Sequence, residues 1–168
     1  MLETMYDAPG VGLAANQVGI LERVIVVDTE YEFHEMDENN PLPPEKLAEG
    51  EVIGEGLITG KKPLALINPV IVQREGKILF KEGCLSVPEF QAEVERSEKI
   101  HVEYLDLDGL TRRLSGEGLF AVCIQHEIDH LDGKLFIDHL SPMKKSMVQK
   151  RLRKEREWRE RDPSGDET

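Results

Sequence analysis

The chain has 168 residues, with 21 Lys or Arg against 33 Asp or Glu and a formal net charge of -12. That length fits one domain with a sizeable core, and that charge argues against affinity for DNA and for a soluble, cytoplasmic protein. No apolar run reaches membrane-spanning length, Met1 to Asp7 is no signal peptide, and Cys84 and Cys123 are too few for a disulfide scaffold, which fits thiol or metal chemistry better.

Met1 to Asp7 reads as the end of a helix, with Leu2, Met5 and Tyr6 at helical spacing, and Pro9 and Gly10 stop it. In the following Gly10-Val11-Gly12-Leu13-Ala14-Ala15-Asn16-Gln17, the glycines allow the backbone to approach a ligand or simply to turn. Arg23 to Asp28 is a β-branched strand. Residues 29–62 are acidic and rich in Pro and Gly, and are expected to form a surface excursion, mobile around the prolines. Strand character resumes over Pro63 to Pro69, Val70 to Val72 and Ile78 to Phe80. Gly83 and Pro88 keep the intervening Cys84 on a rigid, non-helical segment, where it is either a structural thiol or a ligand. Lys99 to Leu107 alternates as a half-buried strand, and Asp108-Gly109 turns it into Thr111 to Leu114.

The chemistry concentrates in Gln125-His126-Glu127-Ile128-Asp129-His130-Leu131-Asp132-Gly133. On a helix His126 and His130 leave the same face one turn apart, so both imidazoles reach one metal ion. Glu127 lies about 100° round the helix, at the edge of such a site, where it can take a proton from water. The preceding Leu119 to Ile124 are apolar on nearly every side, which places this helix in a core. Beyond it, Ser141-Pro142 starts a final helix. From Lys144 to Arg161 nine Lys or Arg stand against three Glu, a solvated face or a docking surface for an acidic partner or RNA. Residues 162–168 are expected to be a disordered tail.

Two histidines need a third protein ligand. The position six after His130 is Phe136, which departs from the metzincin pattern, and Glu155, Glu157 and Glu160 lie in the charged terminal helix. Cys123 is on the same helix as both histidines, and three donors along about 10 Å of one face cannot converge to the 2.0–2.3 Å that a metal requires. Cys84, on a separate rigid segment, remains a good donor.

Three stretches, Gly10 to Gln17, Glu82-Gly83-Cys84-Leu85-Ser86 and Gln125 to Gly133, resemble the three motifs of peptide deformylases in their order. The similarity spans Met1 to about Arg153 apart from 29–62, and the terminal basic helix is similar to the Gram-negative type. The resemblance implies an α+β fold, with antiparallel or mixed sheets packed around a central HExxH helix and a C-terminal helix. It also implies a single catalytic domain over 1–161, with an insertion or long loop at 29–62 and a basic helix at 143–161.

By the same resemblance Cys84, His126 and His130 hold one divalent metal ion, Fe(II) in the cell, replaceable by zinc, nickel or cobalt. Glu127 is the general acid/base, and the Gln17 amide and the Leu85 backbone N–H stabilise an oxyanion. Gly12, Phe80, Leu119, Val122 and Cys123 line a pocket for a methionine side chain, Glu82 pairs with Arg96, and Asp129 orients a neighbour. The implied substrate is a nascent chain beginning with formylmethionine, and the implied partner is the ribosome, through the basic helix. The family carries a first strand and the start of a helix ahead of the Gly-Val-Gly motif, whereas this sequence begins near that helix's end. The competing readings are a metalloprotease sharing HExxH and a truncated, non-catalytic metal-binding module that docks on ribosomes.

Overall fold

A computed structural model of the chain describes residues 1–36, 42–53 and 56–161. Helix α1 (Leu2–Asp7) buries Met5 and Tyr6 and stops ahead of Pro9, whose ring cannot continue it. The glycine motif is more regular than a turn: it forms strand β1 (Gly12–Ala14) and then a 3-10 turn over Ala15–Val18. The buried Leu13, Ala14 and Ala15 fix this path. Strand β2 (Val24–Val27) pairs antiparallel with β1, with Leu13 opposite Val26.

The stretch expected as an acidic surface excursion carries elements of its own among the described residues. Strand β3 (Glu32–Glu35), helix α2 (Pro44–Glu49), strand β4 (Glu51–Ile53) and strand β5 (Gly56–Thr59) follow one another, and the strands form an antiparallel sheet in the order β3-β5-β4. Leu57 and Ile58 on β5 are both 1% exposed. Ile58 packs with Met5, Tyr6, Leu13 and Val26. The acidic and proline-rich flanks hide this short apolar run in the sequence, yet burying two such side chains contributes roughly 1.5–3 kcal/mol each. Residues 37–41 and 54–55 of the stretch, and the tail at 162–168, lie outside the described residues.

Two expected strands merge into the long β6 (Leu64–Glu75), which bends at an irregularity between Ile67 and Val70, where Asn68 takes φ 51. Strands β7 (Ile78–Cys84) and β8 (Val87–Arg96) make a hairpin of their own. Strand β8 goes unannounced by the sequence reading, since Pro88 and its glutamates mask the alternation of Phe90, Ala92 and Val94 with polar residues. Strands β9 (Lys99–Leu105) and β10 (Thr111–Glu117) complete a five-stranded sheet in the order β1-β2-β6-β9-β10. Every strand pairing among the described residues is antiparallel.

Helix α3 (Gly118–Leu131) lies against this sheet, where its Ala121, Ile124 and Ile128 pack with Ile25, Val27, Leu66, Ile100 and Val102. Gly133, at φ +71, supplies the left-handed stop beyond it. A 3-10 turn over Phe136–His139 leads to α4 (Pro142–Arg161). Val148 of α4 joins Val87, Val94, Phe136 and Ile137 in a separate apolar cluster that seats the hairpin. The molecule is therefore an α+β fold with antiparallel sheets, an internal helix and a C-terminal helix. Among the described residues no helix is long and apolar enough to cross a membrane.

Candidate metal centre

The i, i+4 spacing on α3 sets the His126 and His130 rings 4.9 Å apart, both turned toward the β7–β8 hairpin. The hairpin delivers Cys84 at its tip, at an irregularity between Gly83 and Cys84, with Sγ 3.2 Å from His130 Nε2. The donor atoms of Cys84, His126 and His130 all lie within 4.8 Å of one another. Burial raises the Cys84 thiol pKa, but hydrogen bonds from both imidazoles outweigh it and bring the value down to about 5. Burial likewise opposes a charged imidazole at His126, yet Cys84 and Glu82 hold its pKa up at about 10. The space between these donors favours positive charge, and one thiolate with two imidazoles is a donor set that divalent transition metals accept. The residues present fit such an ion.

Behind the donors lies a buried ionic layer. His126 Nδ1 donates to Glu82 Oε2 over 2.8 Å, which leaves Nε2 to face the metal side. Arg96 grips Glu82 through Nε at 2.7 Å and Nη2 at 2.9 Å, with both side chains 4% exposed. Burial pushes the Glu82 carboxyl up, but Arg96 and His126 prevail and hold it at about 2. Asp129 accepts from Arg96 and lies 2.7 Å from His139 Nε2, so its neighbours are these two side chains.

Glu127 is 5% exposed and its Oε2 has no hydrogen-bond partner among the described residues. Burial raises its pKa to about 7 against the lowering effect of the two imidazoles. It faces Gly12: a Cβ there would come within 2.6 Å of Glu127 Oε1 and 2.7 Å of Cys123 Sγ. Only glycine permits this approach.

A cavity of about 880 Å³ opens beside the cluster. Gly12, Phe80, Leu119, Val122 and Cys123, the residues expected to form one pocket, all border it, as do Gln17, Cys84, Leu85, His126 and Glu127. Cys123 stands in the wall, its Sγ 3.2 Å from Val11 O, and takes no place in the donor cluster. Gln17 Oε1 accepts from Ala14 N–H at 2.8 Å, so Nε2 points toward Ser86 Oγ (3.4 Å) and Cys84 Sγ (3.9 Å). The β8 residues Phe90 and Gln91 also border the cavity without having been singled out in the sequence, and the alternation along β8 was the signal that could have found Phe90.

The polypeptide deformylase family model matches residues 1–146. A peptide deformylase of Xylella fastidiosa strain M12 is 49% identical over 156 residues, covering 93% of this chain and 76% of that protein. Among solved structures, a peptide deformylase from Legionella pneumophila superposes with a TM-score of 0.71 at 40% identity, covering 96% of this chain and 79% of the other. One from Thermus thermophilus gives 0.70 at 38%, covering 92% and 76%.

Proposed function

Because the chain belongs to the polypeptide deformylase family, whose members are hydrolases that remove the formyl group from the formylmethionine of nascent polypeptides, we propose that it does so through the residues bordering its cavity. The observation that carries this reading is the convergence of the Cys84, His126 and His130 donors within 4.8 Å, beside the buried, unpartnered carboxylate oxygen of Glu127. The family is metal-dependent. In this chain Cys84, His126 and His130 hold one divalent ion, Fe(II) in the cell, with zinc, nickel or cobalt able to replace it. When bound, such an ion supplies a Lewis acid and makes water nucleophilic near neutral pH.

The protein's own groups do the rest. Glu127 takes a proton from the attacking water and delivers it to the leaving nitrogen, and a pKa of about 7 suits both roles. Gln17 Nε2 and the Leu85 N–H donate to the formyl oxygen as it gains negative charge. Water adds to the formyl carbon, the C–N bond breaks, and formate and a free amine leave. Gly12, Phe80, Leu119, Val122 and Cys123 receive the methionine side chain, and the missing Cβ of Gly12 keeps Glu127 within reach. The Glu82–Arg96 pair orients His126. The protein acts in the cytoplasm, and the basic face of α4 docks it on the ribosome, where its substrate emerges.

The test is formate release from a formyl-Met peptide by Fe(II)- or Ni(II)-loaded protein prepared without oxygen, beside Glu127→Ala. Glu127-dependent release is the expected result. Metal binding without release would instead support a non-catalytic ribosome-docking module.

A further inference from the structure

The carbonyl groups in the last turn of a helix have no partner inside it and need donors from elsewhere. At the end of α3, the N–H groups of Asp132 and Lys134 serve Ile128 and Asp129. His130 O receives the Gly133 N–H and also Asn16 Nδ2. Leu131 O receives Arg23 Nη1 at 3.3 Å, and the same guanidinium pairs with Asp132 at 2.9 Å. Both side-chain donors flank Gln17 in sequence, and the Asn16 contact joins residues 114 apart. A carbonyl oxygen only accepts, so the end of the Asn16 amide that faces it is the NH2 group.

Gln17 is oriented in a complementary way. Its Oε1 is held by the Ala14 N–H inside its own turn, which aims Nε2 at the Cys84 side of the cavity. That bond sets the direction of the amide but not the position of the turn relative to α3. The bond from Asn16 to His130 supplies the position, since it ties the residue next to Gln17 to the main chain of the helix that carries both histidines. Arg23 holds the far end of the same segment, with a side chain 43% exposed and correspondingly weaker.

We propose that Asn16 is a positioning residue for deformylation: by donating to the main-chain carbonyl of His130, it seats the 3-10 turn against α3 and sets where the Gln17 amide meets the substrate's formyl oxygen. This inference rests on the function proposed above. A helix cap with no such role would contribute stability alone.

The experiment compares wild type with Asn16→Ala, Asn16→Ser and Asn16→Asp, each alone and with Gln17→Ala. The readouts are kcat and KM of nickel-loaded protein on a formyl-Met peptide, metal content, and amide hydrogen exchange at Gly19 and Ile20, whose N–H groups bond within the turn. In Asn16→Ala, kcat falls by about tenfold, as a misplaced donor dictates, while KM and metal content hold. Asn16→Ser, which keeps a donor, loses less, and Asn16→Asp, which sets a carboxylate against a carbonyl oxygen, loses more. Exchange at Gly19 and Ile20 quickens, and the Asn16→Ala effect on kcat vanishes in the Gln17→Ala background. An equal loss in that background would make Asn16 a mere cap, and unchanged exchange would overturn the seating itself. A wild type that releases no formate would overturn the function reading and the catalytic half of this inference, leaving exchange to decide the seating.

Discussion

Glu82 Oε2 lies 2.8 Å from Nδ1 of His126, on the side of the ring away from the donor cluster. The same carboxylate is gripped by Arg96, so one buried ion pair sets both the tautomer and the angle of a proposed metal ligand. Glu82→Ala removes the bidentate partner of the buried Arg96 and leaves it Asp129 alone. It should cost about 3–5 kcal/mol of stability and weaken metal affinity on the order of 10–100-fold. Urea unfolding and competition with a chelator measure the two effects. A variant with wild-type affinity would mean that Glu82 does not orient His126.

Glu127→Gln keeps the volume and removes the base. Turnover should fall by roughly 10²–10⁴-fold, with metal content and the melting temperature nearly unchanged. Formate release and elemental analysis on the same preparation check this together.

Gly12→Ala tests the close approach from the other side. The added Cβ would sit 2.6 Å from Glu127 Oε1, so the carboxylate must move. Loss of most activity is expected, with about 1–3 kcal/mol of overpacking. An active Gly12→Ala protein would show that Glu127 does not work from the position seen here.

Removing the metal should expose chemistry at one thiol only. Cys84, with its pKa near 5, reacts quickly with a thiol reagent once a chelator has acted, whereas Cys123 is 5% exposed and its thiol is raised by burial. One fast thiol after chelation and none before is the expected count. A thiolate beside Fe(II) is also open to oxidation, so activity of the iron form should decay in air faster than that of the nickel form.

Tyr6 gives the pH dependence. Burial and the hydrogen bond its hydroxyl donates to Asp28 (2.6 Å) raise its pKa above the usual 10. Its folded-state value is above the unfolded one, so the stabilisation is complete below pH 10 and is lost as pH rises beyond that toward the folded value. Wild type should exceed Tyr6→Phe by about 2 kcal/mol at pH 8, and the gap should narrow above pH 10. A gap constant with pH would show that the phenol does not titrate differently in the two states.

The donors were legible because their chemistry is local. The i, i+4 histidines follow from helix geometry alone, and Cys84 followed because Phe136 and the charged terminal helix offered no better ligand. Asn16 and His139 were not legible, since the partner of Asn16 is 114 residues away and His139 meets Asp129 only after the 3-10 turn folds back. Residues 29–62 hid their strands for a compositional reason. The acids described there are on the surface, while the two buried side chains of the stretch, Leu57 and Ile58, occupy a run too short to stand out.

The β7–β8 hairpin forms a sheet of its own, with no strand pairing to the five-stranded sheet among the described residues. It is held by the Phe136 and Val148 cluster, by the polar contacts of Arg96 with Asp129 and of Glu82 with His126 on α3 and, in the proposed metal form, by the bond through Cys84. Its opening therefore need not wait for the main sheet to separate, and the ion would act as the third fastening of a partly independent cooperative unit. With the ion bound as proposed, its occupancy would govern how often this lobe lifts from α3, and the protein's susceptibility to proteases would become a function of the cell's metal supply.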